Sequence, residues 1–180
     1  LLFVMFLFSG FCGLLYQVIW LRLAFAHFGV ITPVLSLLVS TFMLGLGAGN
    51  YFAGKYVNKF KMPPNKLYAV VECLIGLSAF LVPLSFEIFE KKLLHSGAMN
   101  SNLYLIKSSV ALVISILPWC FLMGTTTPIM MSYIQKSHWR ETRSFSYLYF
   151  SNVVGATIGV LTTALILVEF LGFKKTLYLG

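Results

Sequence analysis

Five apolar segments, each near 20 residues long, run through the chain and are separated by short polar stretches. A helix needs about 20 predominantly apolar residues to cross the ~30 Å hydrocarbon core of a bilayer. The ~10-residue alternation typical of membrane β-strands is absent. We therefore predict five transmembrane helices, at about 1–21, 32–52, 67–86, 108–133 and 147–171.

The composition supports a lipid environment for the whole chain. Of its 180 residues, 59% are hydrophobic and 10% are charged, whereas soluble domains carry about 25% charged residues. We predict one integral membrane domain over residues 1–180, an all-α polytopic bundle. Residues 177–180 are interpreted as the start of a sixth segment. We expect the sequence to be truncated at both ends. A soluble domain could follow residue 180.

The basic residues lie mostly between the apolar segments and predict the topology. The net charge is +8, and all five acidic residues are glutamates. Lysines cluster after the second segment, and further basic residues follow the fourth, so these two loops lie on one side, which we assign to the cytoplasm. No nucleic-acid motif is present, and anionic lipid head groups are the expected partner. The first segment ends at Trp20 and Arg22, a pair typical of the membrane interface. The lysines after the second segment are Lys55, Lys59, Lys61 and Lys66, and the residues after the fourth are Lys136, Arg140 and Arg143.

The residues that usually carry catalysis or bind metals are dispersed. Cys12, Cys73 and Cys120 lie in three different apolar segments, with no CxxC pair, so neither a disulfide nor a zinc site is predicted. The histidines are spread between the helices, and no known catalytic motif occurs. We predict no cofactor, no metal and no catalytic site in this chain.

Small residues recur every four positions in two segments. Gly45, Gly49 and Ala53 form such a stripe in the second segment, and Gly155 and Gly159 follow Ser151 in the fifth. Stripes of this kind let helix backbones approach closely. We predict helix packing along both stripes, and along a weaker one formed by Ser9, Gly13 and Gln17.

The fourth segment contains Pro128 after three threonines. Proline cannot donate a hydrogen bond to the carbonyl of Gly124, and threonine hydroxyls can satisfy freed backbone groups. We predict a kinked or partly unwound helix here, which is either a packing feature or, as in transporters, part of a site for a substrate or an ion.

Polar side chains inside the segments are costly and are candidates for function. Asn50 and Glu169 lie near segment ends, where water lowers this cost. Glu72 lies deeper, and either a pairing with Arg22 or a bound cation would stabilise it. A structural ion pair or hydrogen bond is the alternative. The predicted intramembrane polar site comprises Gln17, Glu72, Asn152, Thr127 and Pro128.

Three motifs together resemble the membrane portion of fused major-facilitator/spermidine-synthase-like proteins. They are SGFCGLLYQVIWLR at 9–22, LMGTTTP at 122–128 and YFSNVVGATIG at 149–159. The segment GKYVNKF at 54–60 also resembles the basic loop after the second helix of major-facilitator transporters, with Asn58 where an acidic residue is usual. In this family the resemblance implies an attached aminopropyltransferase-like domain that uses decarboxylated S-adenosylmethionine.

Two functions follow from this reading. The first is a membrane anchor or assembly module in a bacterial-type inner membrane, which serves an attached polyamine-synthase-like domain or joins other membrane subunits. The alternative is a transporter-like module for a small cationic or amphipathic solute. An intramembrane enzyme is disfavoured, because the paired groups that acid–base catalysis requires are not evident.

Overall fold

The computed structural model describes residues 2–29, 32–59, 62–94, 101–136 and 141–178, and every element within them is helical. The predictions that involve Lys61, His95, His138 and Arg140 lie outside the described residues. A short 3₁₀ turn, Val57–Lys59, follows α2, and a π-helical segment, Thr163–Leu167, follows α5. The α-helices are α1 Leu2–Phe28, α2 Thr32–Tyr56, α3 Pro64–Leu94, α4 Ser101–Lys136, α5 Glu141–Thr162 and α6 Val168–Leu177.

Five of these helical stretches are long and apolar enough to span a membrane, which confirms the predicted multi-pass, all-α bundle. The helices extend beyond the predicted segments because polar residues at the membrane interface continue the helical turns. Trp20 is an example: α1 continues to Phe28, so Trp20 is buried and its ring stacks on Tyr16 at 5.7 Å. Trp20 therefore packs inside the bundle, and its depth at the membrane interface stays a prediction. Ser101 and Asn102, which lie before the predicted fourth segment, belong to α4.

The small-residue stripe of α2 packs against α4. A Cβ built on Gly49 would lie well under 3.0 Å from the backbone carbonyl oxygen of Phe121, and one on Gly45 would collide with the Cβ of Cys120. Gly124 makes the corresponding contact from α4, because a Cβ there would collide with the backbone carbonyl of Leu46. The glycines therefore let the two backbones touch. Ala53 continues the buried side of α2.

The stripe of α5 packs against α1 in the same way. Cβ atoms on Gly155 and Gly159 would collide with the backbone carbonyls of Leu7 and Phe11. Gly10 makes the contact from the α1 side, because a Cβ built on it would collide with the backbone carbonyl of Asn152. The predicted stripe through Gly13 is wrong in register, since a Cβ on Gly13 would meet nothing within 4 Å.

The two helix pairs repeat one another. In both pairs the contacts advance in the same direction along the two helices, so α1 runs parallel to α5 and α2 parallel to α4. The pattern maps α1 onto α4 and α2 onto α5. Helices three apart cross a membrane in opposite directions, so α1–α2 and α4–α5 are related as in an inverted repeat. The equivalent contacts are Gly10 with Asn152 and Gly124 with Leu46, and Gly155 with Leu7 and Gly49 with Phe121.

Helix α4 continues through both of its prolines, Pro118 and Pro128. The partly unwound alternative of the prediction is therefore wrong for this helix, and the kinked alternative stays a prediction. The hydroxyls of Thr125 and Thr126 donate to the carbonyls of Leu122 and Met123, at 2.7 and 2.8 Å. These bonds reinforce the turn before Pro128 and do not reach the carbonyl of Gly124, because a threonine in a helix reaches carbonyls three or four residues earlier.

The sixth segment begins earlier than predicted. Gly172 has φ 71° and ψ 172°, which breaks the helical path after the fifth span. The Thr176 hydroxyl donates to the carbonyl of Leu167 at 3.0 Å and to that of Gly172 at 2.7 Å, which fixes the turn. The ring of Tyr178 then stacks on Phe80 of α3 at 4.9 Å. The chain therefore turns back onto α3 after Gly172.

Candidate functional site

All five spanning helices contribute to an inner cavity of about 260 Å³. Glu72 and Ile75 come from α3, and Asn152 comes from α5. We call this space the inner cavity. The rest of its lining comes from α1 (Ser9, Gly10, Cys12, Gly13 and Leu14), α2 (Phe42, Leu46 and Asn50) and α4 (Met123, Gly124, Thr126 and Thr127).

Glu72 provides the carboxyl group of the inner cavity, and its partner is Ser9. The Ser9 hydroxyl donates to Oε1 of Glu72 at 2.7 Å, which links α1 to α3. The predicted pairing with Arg22 is not made. Arg22 is exposed and lies about 20 Å further along α1 than Ser9, at 1.5 Å per residue. A single hydroxyl occupies part of the hydrogen-bonding capacity of a carboxyl group, which can accept several hydrogen bonds.

The amide and hydroxyl groups around Glu72 come from the other helices. Nδ2 of Asn152 donates to the carbonyl of Phe6 at 3.2 Å, which leaves its side-chain oxygen available as an acceptor at the cavity. Thr127 and Asn50 line the same space. The sequence-predicted residues Glu72, Asn152 and Thr127 are therefore brought together from three helices.

Two predicted site residues lie elsewhere. Gln17 lines a separate small cavity of about 30 Å³, together with Trp20, Leu38 and Ile116. It lies about 12 Å along α1 from Ser9, too far to reach Glu72. Pro128 is half-buried and is not among the residues that line the inner cavity, although it directly follows Thr127, which does line it.

The inner cavity lies toward the side of the basic loops. At 1.5 Å per residue, Asn50 is about 9 Å from the end of α2, and Glu72 is about 12 Å from the start of α3. Thr127 is about 14 Å from the end of α4. These depths place the polar groups within the span, on the half that faces the lysines after α2.

The local charge of the inner cavity is negative when Glu72 is ionised. None of its lining residues is a lysine, an arginine or a histidine. Lys55, Lys59 and Lys66 of the neighbouring loop are exposed, and the side-chain nitrogens of Lys55 and Lys59 lie over the ring of Tyr56, at 5.7 and 5.1 Å. Exposed charges are screened over about 8 Å at physiological ionic strength, so the carboxyl group dominates the field inside the bundle.

Sequence reasoning missed two residues of this region. Ser9 was assigned to a packing stripe, yet its hydroxyl contacts Glu72. Tyr68 was not singled out, although it lies one helical turn before Glu72 on α3 and is buried. The spacing of Tyr68 and Glu72, four residues apart on a helix, is the signal that could have found it.

The described residues contain no group of three or more His, Cys, Asp or Glu side chains that could hold a metal ion. The polar groups that line the inner cavity are mainly one carboxyl group, amides and hydroxyls. Comparison with known proteins finds no matching family model, no matching curated protein and no matching solved structure. The resemblance to spermidine-synthase-like membrane proteins accordingly stays a prediction from the motifs.

Proposed function

We propose that this chain is a transporter-like membrane module that binds a small organic cation in the inner cavity, with Glu72 as the counter-ion. The observation that carries the proposal is the carboxyl group of Glu72, which lines an intramembrane cavity without any basic residue in its lining. Ionisable residues at membrane depth mark substrate and ion pathways, because their burial is costly without a partner.

The size and chemistry of the cavity define the ligand class. A volume of about 260 Å³ is smaller than the ~300–1,000 Å³ of drug-sized sites, so the ligand is small. Glu72 pairs with an ammonium group, while Asn152 and Thr127 offer further acceptors. Leu46, Ile75 and Met123 supply apolar surface for a short carbon chain.

The helix arrangement supports a transporter-like module. Inverted repeats with a binding site between them are a recurring construction in secondary transporters. Here α1 and α4 are equivalent, and both contribute to the inner cavity. By the clustering of basic residues, we propose that the cavity faces the cytoplasm of a bacterial-type inner membrane.

The assembly role predicted from the small-residue stripes has less support. Gly45, Gly49, Gly155 and Gly159 are used for packing within the chain, so they do not offer a surface to other subunits. Anchoring of a polyamine-synthase-like domain rests on the motif resemblance alone and stays a prediction.

A charge series tests the proposed function. The protein in phosphatidylcholine nanodiscs is dialysed against radiolabelled butylammonium, butanol and butyrate, with empty nanodiscs as the blank. We expect saturable binding of butylammonium only, because the three probes have the same chain and differ in charge. Spermidine, added as a competitor, tests the polyamine expectation. Equal binding of butanol, or preferential binding of butyrate, would contradict the proposal.

A further inference from the structure

A second cavity, of about 290 Å³, lies on the other side of Glu72. All of its lining residues come from α1 and α3, so it is a groove between two neighbouring helices. We call it the α1–α3 groove. Its lining from α1 is Val4, Met5, Phe8, Ser9, Cys12 and Tyr16, and from α3 it is Tyr68, Glu72, Ile75 and Gly76.

The outer rim of the α1–α3 groove is apolar and exposed on the surface of the spanning bundle. Val4, Met5 and Phe8 are 54%, 40% and 59% exposed. On a membrane-spanning helix, exposed apolar side chains face acyl chains. The groove therefore opens toward the lipid.

The floor of the groove is polar, and one of its groups is unsatisfied. Tyr68 is 3% exposed, and its phenol oxygen makes no hydrogen bond within the part of the chain that the structure describes. The tyrosine ring is held by stacking on Phe6 at 6.2 Å. The phenol group is buried close to Glu72 and Ser9. A buried hydroxyl without a well-formed hydrogen bond is unfavourable, so a ligand that reaches Glu72 from the groove can also supply the hydrogen bond that Tyr68 lacks.

Glu72 also lines this groove and forms the wall that it shares with the inner cavity, together with Ser9, Cys12 and Ile75. The hydrogen bond from Ser9 to Glu72, at 2.7 Å, connects the two helices across this wall. Because a carboxyl group can accept several hydrogen bonds, a donor in the groove can pair with Glu72 alongside Ser9.

We propose that the α1–α3 groove is a lateral binding site, open to the bilayer, for a primary ammonium group on an apolar chain. The ammonium donates hydrogen bonds to Glu72 and to the phenol oxygen of Tyr68, while the chain lies along Val4 and Phe8 in the lipid. Either a free alkylamine or the head group of an ethanolamine lipid has this chemistry. The proposal deepens the proposed function, since both use Glu72.

A matched pair of ligands tests the hydrogen bonds separately from the charge. The protein in phosphatidylcholine nanodiscs receives dodecylamine or dodecyltrimethylammonium in one arm, and phosphatidylethanolamine in the other. Retained ligand is counted by native mass spectrometry. We expect retention of a primary ammonium over its trimethylated counterpart, because methylation removes the N–H donors and keeps the charge. Which of the two arms shows retention identifies the source of the ligand.

Tyr68→Phe is the decisive variant, because it removes the phenol oxygen and keeps the stacked ring. We expect about tenfold weaker retention of the primary ammonium, as a hydrogen bond to a charged group is lost. Tyr51→Phe is the matched control, since Tyr51 is 66% exposed on α2 and lines neither space. Unchanged retention in Tyr68→Phe, or equal retention of the trimethylated ligand, would overturn the proposal.

The two proposals fail in distinguishable ways. Tyr68 does not line the inner cavity, so Tyr68→Phe is expected to leave butylammonium binding in that cavity unchanged. Butylammonium binding that is absent from the wild-type protein, or that Tyr68→Phe abolishes, would contradict the inner-cavity function, and Tyr68-dependent retention of dodecylamine would at the same time support the groove. Butylammonium binding that persists in Tyr68→Phe, with dodecylamine retention that does not depend on Tyr68, would overturn the groove proposal alone.

Discussion

Replacing Glu72 with Gln is expected to weaken butylammonium binding at least about tenfold, a loss of about 1.4 kcal/mol or more. Truncating one partner of a buried, hydrogen-bonded charge pair costs about 2–5 kcal/mol. Gln keeps the size of the side chain and can still accept from Ser9, which now lies 2.7 Å from Oε1. The substitution therefore removes the charge and leaves the packing of α1 on α3 in place. Equilibrium dialysis in nanodiscs measures the change.

Glu169→Gln is the matched control for this variant. Glu169 is an exposed residue of α6 and does not line the inner cavity, so the same change of net charge occurs away from the site. We expect its butylammonium affinity to stay within about twofold of wild type. Equal losses in both variants would show that net charge, and not the cavity, attracts the cation. Unchanged butylammonium affinity in Glu72→Gln would show that Glu72 does not bind the cation.

Replacing Gly49 with Ala is expected to destabilise the folded bundle by about 1–3 kcal/mol or more. The added Cβ would lie well under 3.0 Å from the carbonyl oxygen of Phe121. That oxygen belongs to the backbone of α4, so the clash cannot be relieved by rotating a side chain, and the two helices must separate. Gly155→Ala is expected to have a similar effect through the carbonyl of Leu7, because the two contacts are equivalent in the repeat.

Gly47→Ala on the same helix is the control, since a Cβ there meets nothing within 4 Å. Alanine favours helices over glycine by about 1 kcal/mol, so this variant is expected to be neutral or more stable. Thermal unfolding in one detergent, followed by fluorescence of the buried tryptophan, compares the three variants with wild type. Equal melting temperatures for Gly47→Ala and Gly49→Ala would contradict the close approach of α2 and α4.

The helices could be predicted from the sequence because each apolar segment matches the bilayer thickness. The packing faces of α2 and α5 could also be predicted, since their small residues recur every four positions. The face of α1 could not. Gly10 and Gly13 are both small residues of one helix, and only the contact with α5 decides that Gly10 is the packed one.

The inner cavity was predictable only in part. The cost of placing Glu72 and Asn152 in a membrane marks them as candidates from sequence alone. Which of the other polar residues join them depends on helix rotation and depth, and neither is encoded in a local pattern. Gln17 illustrates this, because it lies on the same helix as Ser9 yet lines a different space. The four-residue spacing from Glu72 could have pointed to Tyr68, but the burial of its hydroxyl without a hydrogen bond is visible only in the structure.

The measurement that tests the central claim most directly is the rate of Cys12 alkylation with and without a cation. Cys12 lies in the wall that the inner cavity shares with the α1–α3 groove, whereas Cys73 follows Glu72 in sequence, is exposed and lines neither space. Tyr68→Phe, which alters only the groove, is measured in parallel, so protection of Cys12 that persists in this variant belongs to the inner cavity. The protein in nanodiscs is treated with N-ethylmaleimide, and each cysteine is quantified by peptide mass spectrometry. We predict that butylammonium slows the alkylation of Cys12 and leaves that of Cys73 unchanged, while butyrate affects neither. Unprotected Cys12 at a saturating butylammonium concentration would place the cation elsewhere and contradict the assignment of the cavity as its binding site.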